Sequence, residues 1–536
     1  MQEEFLKFLK EYENKIIELH KQSSLAYFNA SISGKAEDYE KASELQLKVD
    51  KIFADKEKFA LLKKIKESNT VEDSVLKRQL DLIYNSFAGN QFNEELLEKT
   101  VKLANKVEKD FSTFRAKAEG EELTDNQIDE ILQTETDNAK LKSVWEASKQ
   151  IGDVVAPDVI KLVKMRNEAA REIGYNNYHE MSLLLSEQDP KEMDRLFDEL
   201  DEMTKKEFAK LKNEIDEFLS QKYNVPIDEL MPWHYQDKFF QHGPSIYKIE
   251  FDDYFKEKDI VEITKNYYNG ISLEITDLVE KSDLFEKDGK YQHAYCIPID
   301  RDGDVRVLCN IKPNYRWMST MLHEYGHAVY DKYVSPKLPW ELRSHAHIFT
   351  TEAIAMMFGR LASNPQWLRD VIGISEDEKH NITADSFNTL RLEQLVFTRW
   401  EQVMYRFERA MYADSDQDLN ELWWEIVEKY QLIKKPEGRN NADWAAKIHL
   451  ALYPAYYHNY MLGELLASQL YHYIVVKVLK EDELFLQSFA GKKDVGEYLK
   501  HLFFSYGALY PWNELVEKAT GEKLTPKFYA DQFITK

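Results

Sequence analysis

Residues 314–334 read NYRWMSTMLHEYGHAVYDKYV, a stretch that is helical by composition. Near its centre the segment HEYGH places His323 and His327 four positions apart. Residues at i and i+4 share one face of a helix, so both imidazoles can present a ring nitrogen to one ion. Glu324 is offset by one position and can stand beside that ion without binding it, where it can take a proton from water. The stretch therefore predicts a helix that carries a metal site.

A catalytic zinc takes three protein ligands and leaves a fourth position open. The candidate for the third ligand is Glu352, in the second helical stretch TTEAIAMMFGRL, 25 residues after His327. Burial of an unpaired carboxylate among small and apolar residues would cost several kcal/mol, and a divalent cation is a suitable partner. His345 and His347 lie between the two stretches and are alternative ligands, although alternate residues share a face only on a strand.

Most of the remaining chain is helical in pattern. Apolar residues recur at spacings of three and four within residues 2–21, 36–69, 74–108 and 189–222, which are rich in Glu, Lys, Leu and Ala. The 536 residues include only 18 Gly and 14 Pro, and they contain no internal repeat or Gly/Ser linker. We therefore expect a mainly α protein with a large core, in which the long amphipathic stripes pack internally.

One segment has a different pattern. Residues 291–311, YQHAYCIPIDRDGDVRVLCNI, are apolar and β-prone and predict a hairpin immediately before the helix that carries His323. A two-residue turn at 302–303 would set Cys296 directly opposite Cys309. We expect two reduced thiols there, since a chain with two cysteines has no disulfide framework.

Composition excludes two classes of partner. The formal net charge is −24, with 95 acidic and 71 basic residues, which argues against binding to nucleic acid or to an anionic membrane surface. The sequence contains no run of about 18 apolar residues, which is the length that predicts a membrane span. The first residues, MQEEFLKFLKEYENK, lack the basic and apolar regions of a signal peptide. We expect a cytoplasmic protein, and a secreted or periplasmic one whose leader was removed stays an alternative.

Further segments of the chain resemble one family. An HExxH motif followed about 25 residues later by a helix-borne Glu is the gluzincin arrangement. The segments LHEYGH and TEAIA, together with WHYQ, HAY, AAKIH and YPAYYHNY in the family's order, resemble the angiotensin-converting-enzyme family of zinc dipeptidyl carboxypeptidases. Enzymes of the thimet-oligopeptidase type are cousins of that family.

The resemblance implies roles for individual residues. His323, His327 and Glu352 would bind one zinc ion, with Glu324 as the general base. His449 and Tyr460 would stabilise the oxyanion of the reaction.

The resemblance also implies a set of substrate contacts. Gln236, Lys447 and Tyr457 would hold the C-terminal carboxylate of a peptide. His293, which lies 30 residues before His323, and the adjacent Ala294 would contact the peptide backbone.

Two positions depart from the family pattern. Asn459 stands where the family has a chloride-binding Arg, so we do not expect a chloride effect. Met356 stands where the family has an Asp that orients a zinc ligand, so another group must orient it or zinc binding is weaker. Tyr453, Tyr457 and Tyr460 would also match the tyrosines of a motif found in the oligopeptidase cousins. Cleavage within a peptide therefore stays an alternative to cleavage near its C-terminus.

Taken together, these features predict a large helical peptidase fold. Two helical halves, interleaved along the sequence, would flank a deep substrate cleft, with a small β-hairpin beside the zinc helix. We expect residues 1–536 to form one catalytic unit whose zinc-site core spans about residues 290–465. The sequence does not fix the oligomeric state, and we expect a monomer.

The predicted function is zinc-dependent hydrolysis of short peptides with release of C-terminal dipeptides. Attack by a water that zinc activates would be assisted by Glu324 as general base. Two alternatives remain open: an endo-oligopeptidase of the thimet type, and a helical scaffold in which zinc is structural. An intact Glu324 counts against the scaffold, since a structural zinc site needs no general base.

Overall fold

The computed structural model describes residues 1–247 and 249–534. The protein is 69% helical, with two small antiparallel sheets of two strands each in the described part of the chain. This confirms the prediction of a mainly α, large helical peptidase fold. Over the same residues, no helix is both long and apolar enough to cross a lipid bilayer.

Four helices form an N-terminal layer with its own apolar core. Phe5, Phe8, Tyr12 and Ile16 recur at helical spacing on the first helix and are buried in that core. The four helices are α1 (Gln2–Ser33), α2 (Ala36–Phe53), α3 (Lys56–Ser68) and α4 (Ser74–Ala88).

Two of the predicted long helices are each divided in two. The segment 36–69 breaks before α3, because the Asp55 side chain accepts hydrogen bonds from the backbone of Glu57 and Lys58 and caps a new helix. The segment 74–108 ends at Gly89 and restarts after Asn93, which caps the next helix in the same way. Side-chain capping therefore overrides the continuous apolar spacing at both places.

The middle of the chain contains the longest helices. Pro190 occupies the first turn of α9, where a missing N–H is tolerated. The elements are α5 (Glu94–Thr113), β1 (Ala116–Ala118), β2 (Glu121–Leu123), α6 (Asp125–Thr134), α7 (Asn138–Glu172), α8 (Tyr178–Leu185), α9 (Pro190–Tyr223), α10 (Ile260–Gly270) and α11 (Thr276–Lys281).

The C-terminal half begins with the second sheet and contains the metal-site helices. Its elements are β3 (Tyr295–Pro298), β4 (Val305–Leu308), α12 (Tyr315–Tyr333), α13 (Ile348–Gly359), α14 (Pro365–Trp367), α15 (Glu376–Ala413), α16 (Leu419–Gln431), α17 (Ile448–Leu452), α18 (His458–Tyr473), α19 (Lys493–Leu502), α20 (Trp512–Thr520) and α21 (Lys527–Phe533).

Two large apolar cores hold these helices together. One contains the buried faces of α12, α13 and α18, and the other contains those of α7, α15 and α16. Helix α9 contributes to both: Met193 and Leu200 pack in the first, and Phe208 and Leu219 pack in the second. Chain segments from both halves of the sequence therefore interleave in the cores, while the division into two halves about a cleft stays a prediction.

The β3–β4 hairpin differs from the predicted one in its turn. Ile299 donates a backbone hydrogen bond to Asp304 at 2.7 Å, so four residues lie between the paired positions. The Asp300 carboxylate accepts from the backbone of Asp302 and Asp304 and stabilises this wider loop. The hairpin is present, but its turn is not the two-residue turn that the opposition of the two cysteines requires.

The wider loop also shifts the register of the hairpin. Cys296 pairs with Val307, not with Cys309, and both cysteines are free. Strand β3 ends at Pro298, which is consistent with the missing N–H of proline.

Candidate metal and peptide-binding site

Helix α12 presents two histidines on one face. Asn314 caps the helix by accepting a hydrogen bond from the backbone of Trp317. Further along the helix, His323 and His327 lie one turn apart, and their Nε2 atoms are 3.3 Å from each other. Burial lowers the pKa of His323 to about 4 and that of His327 well below its usual range. Both imidazoles are therefore neutral near pH 7, which is the form that binds metal.

Helix α13 brings a carboxylate to the same point. An oxygen of Glu352 lies 3.7 Å from Nε2 of His323 and 3.8 Å from Nε2 of His327. The three donor atoms lie within 4.8 Å of one another, and no other group of three or more potential His, Cys, Asp or Glu ligands occurs in residues 1–247 and 249–534. The sequence-predicted ligands are thus brought together.

Glycines allow the three helices around the cluster to approach closely. A Cβ atom on Gly326 of α12 would lie 2.8 Å from Cα of Ala355 in α13. A Cβ atom on Gly463 of α18 would lie 3.2 Å from Cβ of Glu352 and equally close to the sulfur of Met356. Real Cβ atoms do not tolerate the first distance, so the Gly in HEYGH is required by packing.

The donor set fits zinc. Ligands at about 2.0–2.1 Å from zinc in tetrahedral geometry are about 3.3–3.4 Å apart, close to the separation of the two Nε2 atoms. Zinc also accepts both kinds of donor found here, imidazole nitrogen and carboxylate oxygen. Burial raises the pKa of Glu352 to about 7, and a divalent cation would offset the unfavourable burial of its charge.

Glu324 lies beside this cluster without belonging to it. Its side chain is 7% exposed, and its charge acts on the thiols of Cys296 and Cys309, so it lies towards the hairpin. Burial, and secondarily the charge of Glu352, raises the pKa of its carboxyl to about 8. The offset from the two histidines is the one that the HExxH spacing predicts.

The alternative histidine ligands are engaged elsewhere. Nδ1 of His347 accepts a hydrogen bond from the backbone of Phe349 and caps α13. Nδ1 of His345 lies 3.6 Å from the carboxylate of Asp331. Neither histidine is part of the cluster of donors.

A buried lysine lies in a second polar group. Nζ of Lys447 donates to Oε1 of Gln241 at 2.6 Å and lies 5.2 Å from the ring centre of Tyr457. Nε1 of Trp400 donates to the hydroxyl of Tyr457 at 2.9 Å. Burial lowers the pKa of Lys447 to about 8. This group therefore places a buried cation beside a phenol.

A row of aromatic rings connects the lysine group to the metal cluster. The ring centre of Tyr457 lies 4.9 Å from that of His449 and 5.3 Å from that of Tyr460. The pKa of Tyr460 is raised by burial and then by the charge of Glu352, which places the phenol near the metal cluster. Nδ1 of His449 is buried without a hydrogen-bond partner in the described part of the chain.

Sequence reasoning missed Tyr456. Its ring centre lies 5.5 Å from that of Tyr460, and the charge of Glu352 contributes to the increase in its pKa after burial and Tyr460. The signal was its place in the tyrosine-rich segment YPAYYHNY, two residues before α18. By contrast, Tyr453 is 52% exposed and its ring contacts that of His449 at 5.5 Å.

One predicted substrate contact, Gln236, has its hydrogen-bond partners outside the lysine group. Gln236 is buried, with its amide near the hydroxyl of Tyr223 at 3.4 Å and the backbone of Ser245 at 3.3 Å. Gln241, five residues later, instead contacts Lys447.

His293 is exposed beside Tyr291, and the half-buried Ala294 directly precedes β3. The substrate-binding roles of Gln236, His293 and Ala294 stay predictions.

The two departures from the family pattern have local explanations. Asn459 is buried, accepts a hydrogen bond from Gln188 at 2.8 Å and donates to the backbone of Tyr456 at 3.0 Å. It therefore holds the start of α18. Met356 packs its sulfur against Gly463.

Two comparisons with known proteins agree on a peptidase. The sequence profile of the Peptidase M2 family, angiotensin-converting enzyme, matches residues 1–528. Thermostable carboxypeptidase 1 of Pyrococcus furiosus is 25% identical over 261 residues, covering 42% of this chain and 49% of that protein. The chain therefore spans about half the length of this curated relative.

Proposed function

Because the chain belongs to the angiotensin-converting-enzyme family of peptidases, we propose that it is a zinc-dependent enzyme that removes dipeptides from the C-terminus of short peptides. The observation that carries this proposal is the convergence of His323, His327 and Glu352 on one point, with Glu324 beside it. The similarity to a protein named as a carboxypeptidase also supports action at the C-terminus.

His323, His327 and Glu352 would hold the zinc ion. When bound, zinc polarises the scissile carbonyl and lowers the pKa of water, to about 7 in well-studied enzymes. Glu324 takes a proton from the attacking water and delivers it to the leaving amine. Burial raises the affinity of this carboxyl for a proton, which suits a group that must both accept and release one.

Two side chains on the aromatic row stabilise the oxyanion. Tyr460 donates its phenolic hydrogen to the oxygen that gains negative charge, and His449 donates through its ring N–H. Removal of one such donor raises the barrier by about 2.7–4 kcal/mol in well-studied enzymes. The proximity of Tyr460 to Glu352 supports this role.

Lys447 and Tyr457 bind the carboxylate at the end of the substrate. The ammonium of Lys447 lies in a buried, aromatic environment, where attraction to a carboxylate is less screened than in water. The row from Lys447 through Tyr457 to Tyr460 supports a fixed distance between the bound C-terminus and the scissile bond. That fixed distance is what selects a dipeptide as the product.

The test is product analysis with matched peptides. We would incubate the zinc-loaded full chain with a peptide of about ten residues and with its C-terminally amidated form, and identify products by mass spectrometry. Release of dipeptides that is lost on amidation supports the proposal. Internal cleavage indifferent to amidation indicates an endo-oligopeptidase, and zinc binding without cleavage indicates a scaffold. The Glu324→Gln variant serves as the control for contaminating peptidases.

Peptides are the expected partners, and we propose that the enzyme acts as a cytoplasmic monomer. The acidic net charge of −24 supports a freely soluble state. Size-exclusion chromatography with light scattering tests the monomer, and fractionation of the source cells tests the location.

A further inference from the structure

We propose that Thr351 is a positioning residue for metal binding, whose hydroxyl oxygen accepts a hydrogen bond from the Nδ1–H group of His327. Oγ1 of Thr351 lies 2.7 Å from Nδ1 of His327. The bond fixes both the tautomer and the ring orientation of this ligand. The inference rests on the zinc site of the proposed function.

The tautomer follows from the arrangement of the two ring nitrogens. A neutral imidazole carries one N–H and one free lone pair. Nε2 of His327 faces Nε2 of His323 at 3.3 Å and Glu352 at 3.8 Å, so this nitrogen must offer its lone pair if it binds the ion. The hydrogen then resides on Nδ1, where the oxygen of Thr351 is placed to accept it.

The position of Thr351 in α13 fixes its hydroxyl oxygen beside Nδ1 of His327. Thr351 is 3% exposed and directly precedes Glu352, so one short segment supplies both a ligand and a support for another ligand. The close approach of α12 and α13 at Gly326 holds the two partners together. Ligand histidines generally donate their second N–H to an acceptor that orients them.

The neighbouring threonine shows that this contact is not a default of helical threonines. Helical Thr hydroxyls commonly bond to a backbone carbonyl three or four residues earlier. Thr350 does so, donating to the carbonyl of His347 at 2.6 Å. The hydroxyl of Thr351 is instead directed across the helix interface to a side chain. Met356, four residues after Glu352, has only a thioether to offer, and its sulfur packs against Gly463.

The experiment compares zinc affinity in three variants of the full chain. Thr351→Val keeps the shape and removes the acceptor, and Thr351→Ser restores the hydroxyl. Thr320→Val is the matched control, because the half-buried Thr320 of α12 has its hydroxyl bonded to the carbonyl of Arg316 and not to a ligand histidine. The zinc dissociation constant is measured by competition with a chromophoric chelator, and the absorption spectrum of the cobalt-loaded proteins reports the ligand geometry.

We expect Thr351→Val to weaken zinc binding about 10- to 100-fold and to change the cobalt spectrum. The zinc dissociation constants of Thr351→Ser and Thr320→Val should both stay within about threefold of the wild-type value. This change is much smaller than the one expected for Thr351→Val. Thr351→Val with wild-type affinity and spectrum would overturn the inference. Should the valine variant fail to fold, Thr351→Ala against Thr351→Ser decides in the same way. Failure of the wild type to bind zinc would instead overturn the proposed function.

Discussion

Gly326 of α12 lies against the backbone of Ala355 in α13, so closely that a Cβ atom would come within 2.8 Å of Cα of Ala355. The two helices carry the three candidate ligands. The distance between the helices therefore sets the distance between the histidine pair and Glu352, and the glycine inside HEYGH is part of the metal site through packing alone.

Gly326→Ala should separate α12 from α13. Inserted methyl groups in a tight core typically cost about 1–3 kcal/mol, and the shift would move His327 away from Glu352. We expect a lower free energy of unfolding and weaker zinc binding, measured by denaturant titration and chelator competition. Gly270→Ala is the control, since a Cβ there meets its nearest atom, the backbone nitrogen of Gly491, only at 4.0 Å. Equal effects of the two substitutions would contradict the packing argument.

Glu324→Gln should separate metal binding from turnover. The amide keeps the shape but cannot accept the proton of water, and general-base catalysis typically contributes about 10²–10⁴-fold. We expect kcat to fall by at least that factor while the zinc content, measured by mass spectrometry of the metal, stays near one ion per chain. Turnover close to that of the wild type would show that another group is the base.

Tyr460→Phe should lower kcat far more than it changes KM. If the phenol donates to the oxyanion only in the transition state, its loss reduces kcat about 10²–10³-fold. Tyr456→Phe tests whether the neighbouring phenol shares the role, and we expect a smaller effect. Tyr473→Phe is the matched control on the same helix, where the ring stacks on Tyr498. A rise in KM with unchanged kcat would instead assign Tyr460 to ground-state binding.

Lys447 should give the enzyme an alkaline limit for peptides with a free C-terminus. Burial lowers the pKa of Lys447 to about 8, while the charges of Asp237 and Glu401 raise it and that of Lys238 lowers it further. The ammonium is therefore present below pH 8 and is lost above it. We expect kcat/KM to fall as the pH rises through about 8.

A variant with a permanent charge tests the assignment of this limit. Arg stays protonated across the range, so Lys447→Arg should remove the decrease even if its activity is lower. Lys447→Ala should raise KM below about pH 8, where the wild type carries the ammonium. The measurement is kcat/KM from pH 6 to 10 for one peptide. An unchanged alkaline limb in the Arg variant would contradict the role of Lys447.

The sequence predicts those parts of the structure that depend on local spacing. The ligand pair of α12 needs only the i, i+4 rule, and Glu352 stands out as an acid in an apolar helix. The helical breaks after Phe53 and Ala88 were missed, because a capping Asp or Asn can also be accommodated on a helix surface. The hairpin register was missed because Asp300 stabilises a wider loop that Asp-Gly alone does not reveal.

The rest of the site depends on contacts between distant segments. Thr351 meets His327 only because Gly326 lets α12 and α13 touch. Gln241, not the motif residue Gln236, contacts Lys447, and Gln236 itself has a left-handed backbone conformation at φ 63°. No spacing rule encodes such approaches.

Glu408 should make the protein less stable at alkaline pH. This carboxyl is 3% exposed and accepts a hydrogen bond at 2.8 Å from the backbone of Ala455, a residue in left-handed conformation at φ 53° just before Tyr456 and Tyr457. Burial raises its pKa to about 8, against a usual value of 4.5. The folded state thus binds a proton that the unfolded state releases between these values.

The sign of the effect follows from this difference. The contribution of Glu408 to stability is fully present below pH 4.5 and decreases as the pH rises through about 8. Since one pKa unit corresponds to about 1.4 kcal/mol, the loss amounts to a few kcal/mol. Glu408→Gln keeps an acceptor for Ala455 and cannot ionise, so its stability should change less between pH 5 and 9 in urea titrations. An identical pH dependence in the variant and the wild type would show that Glu408 does not titrate in this range.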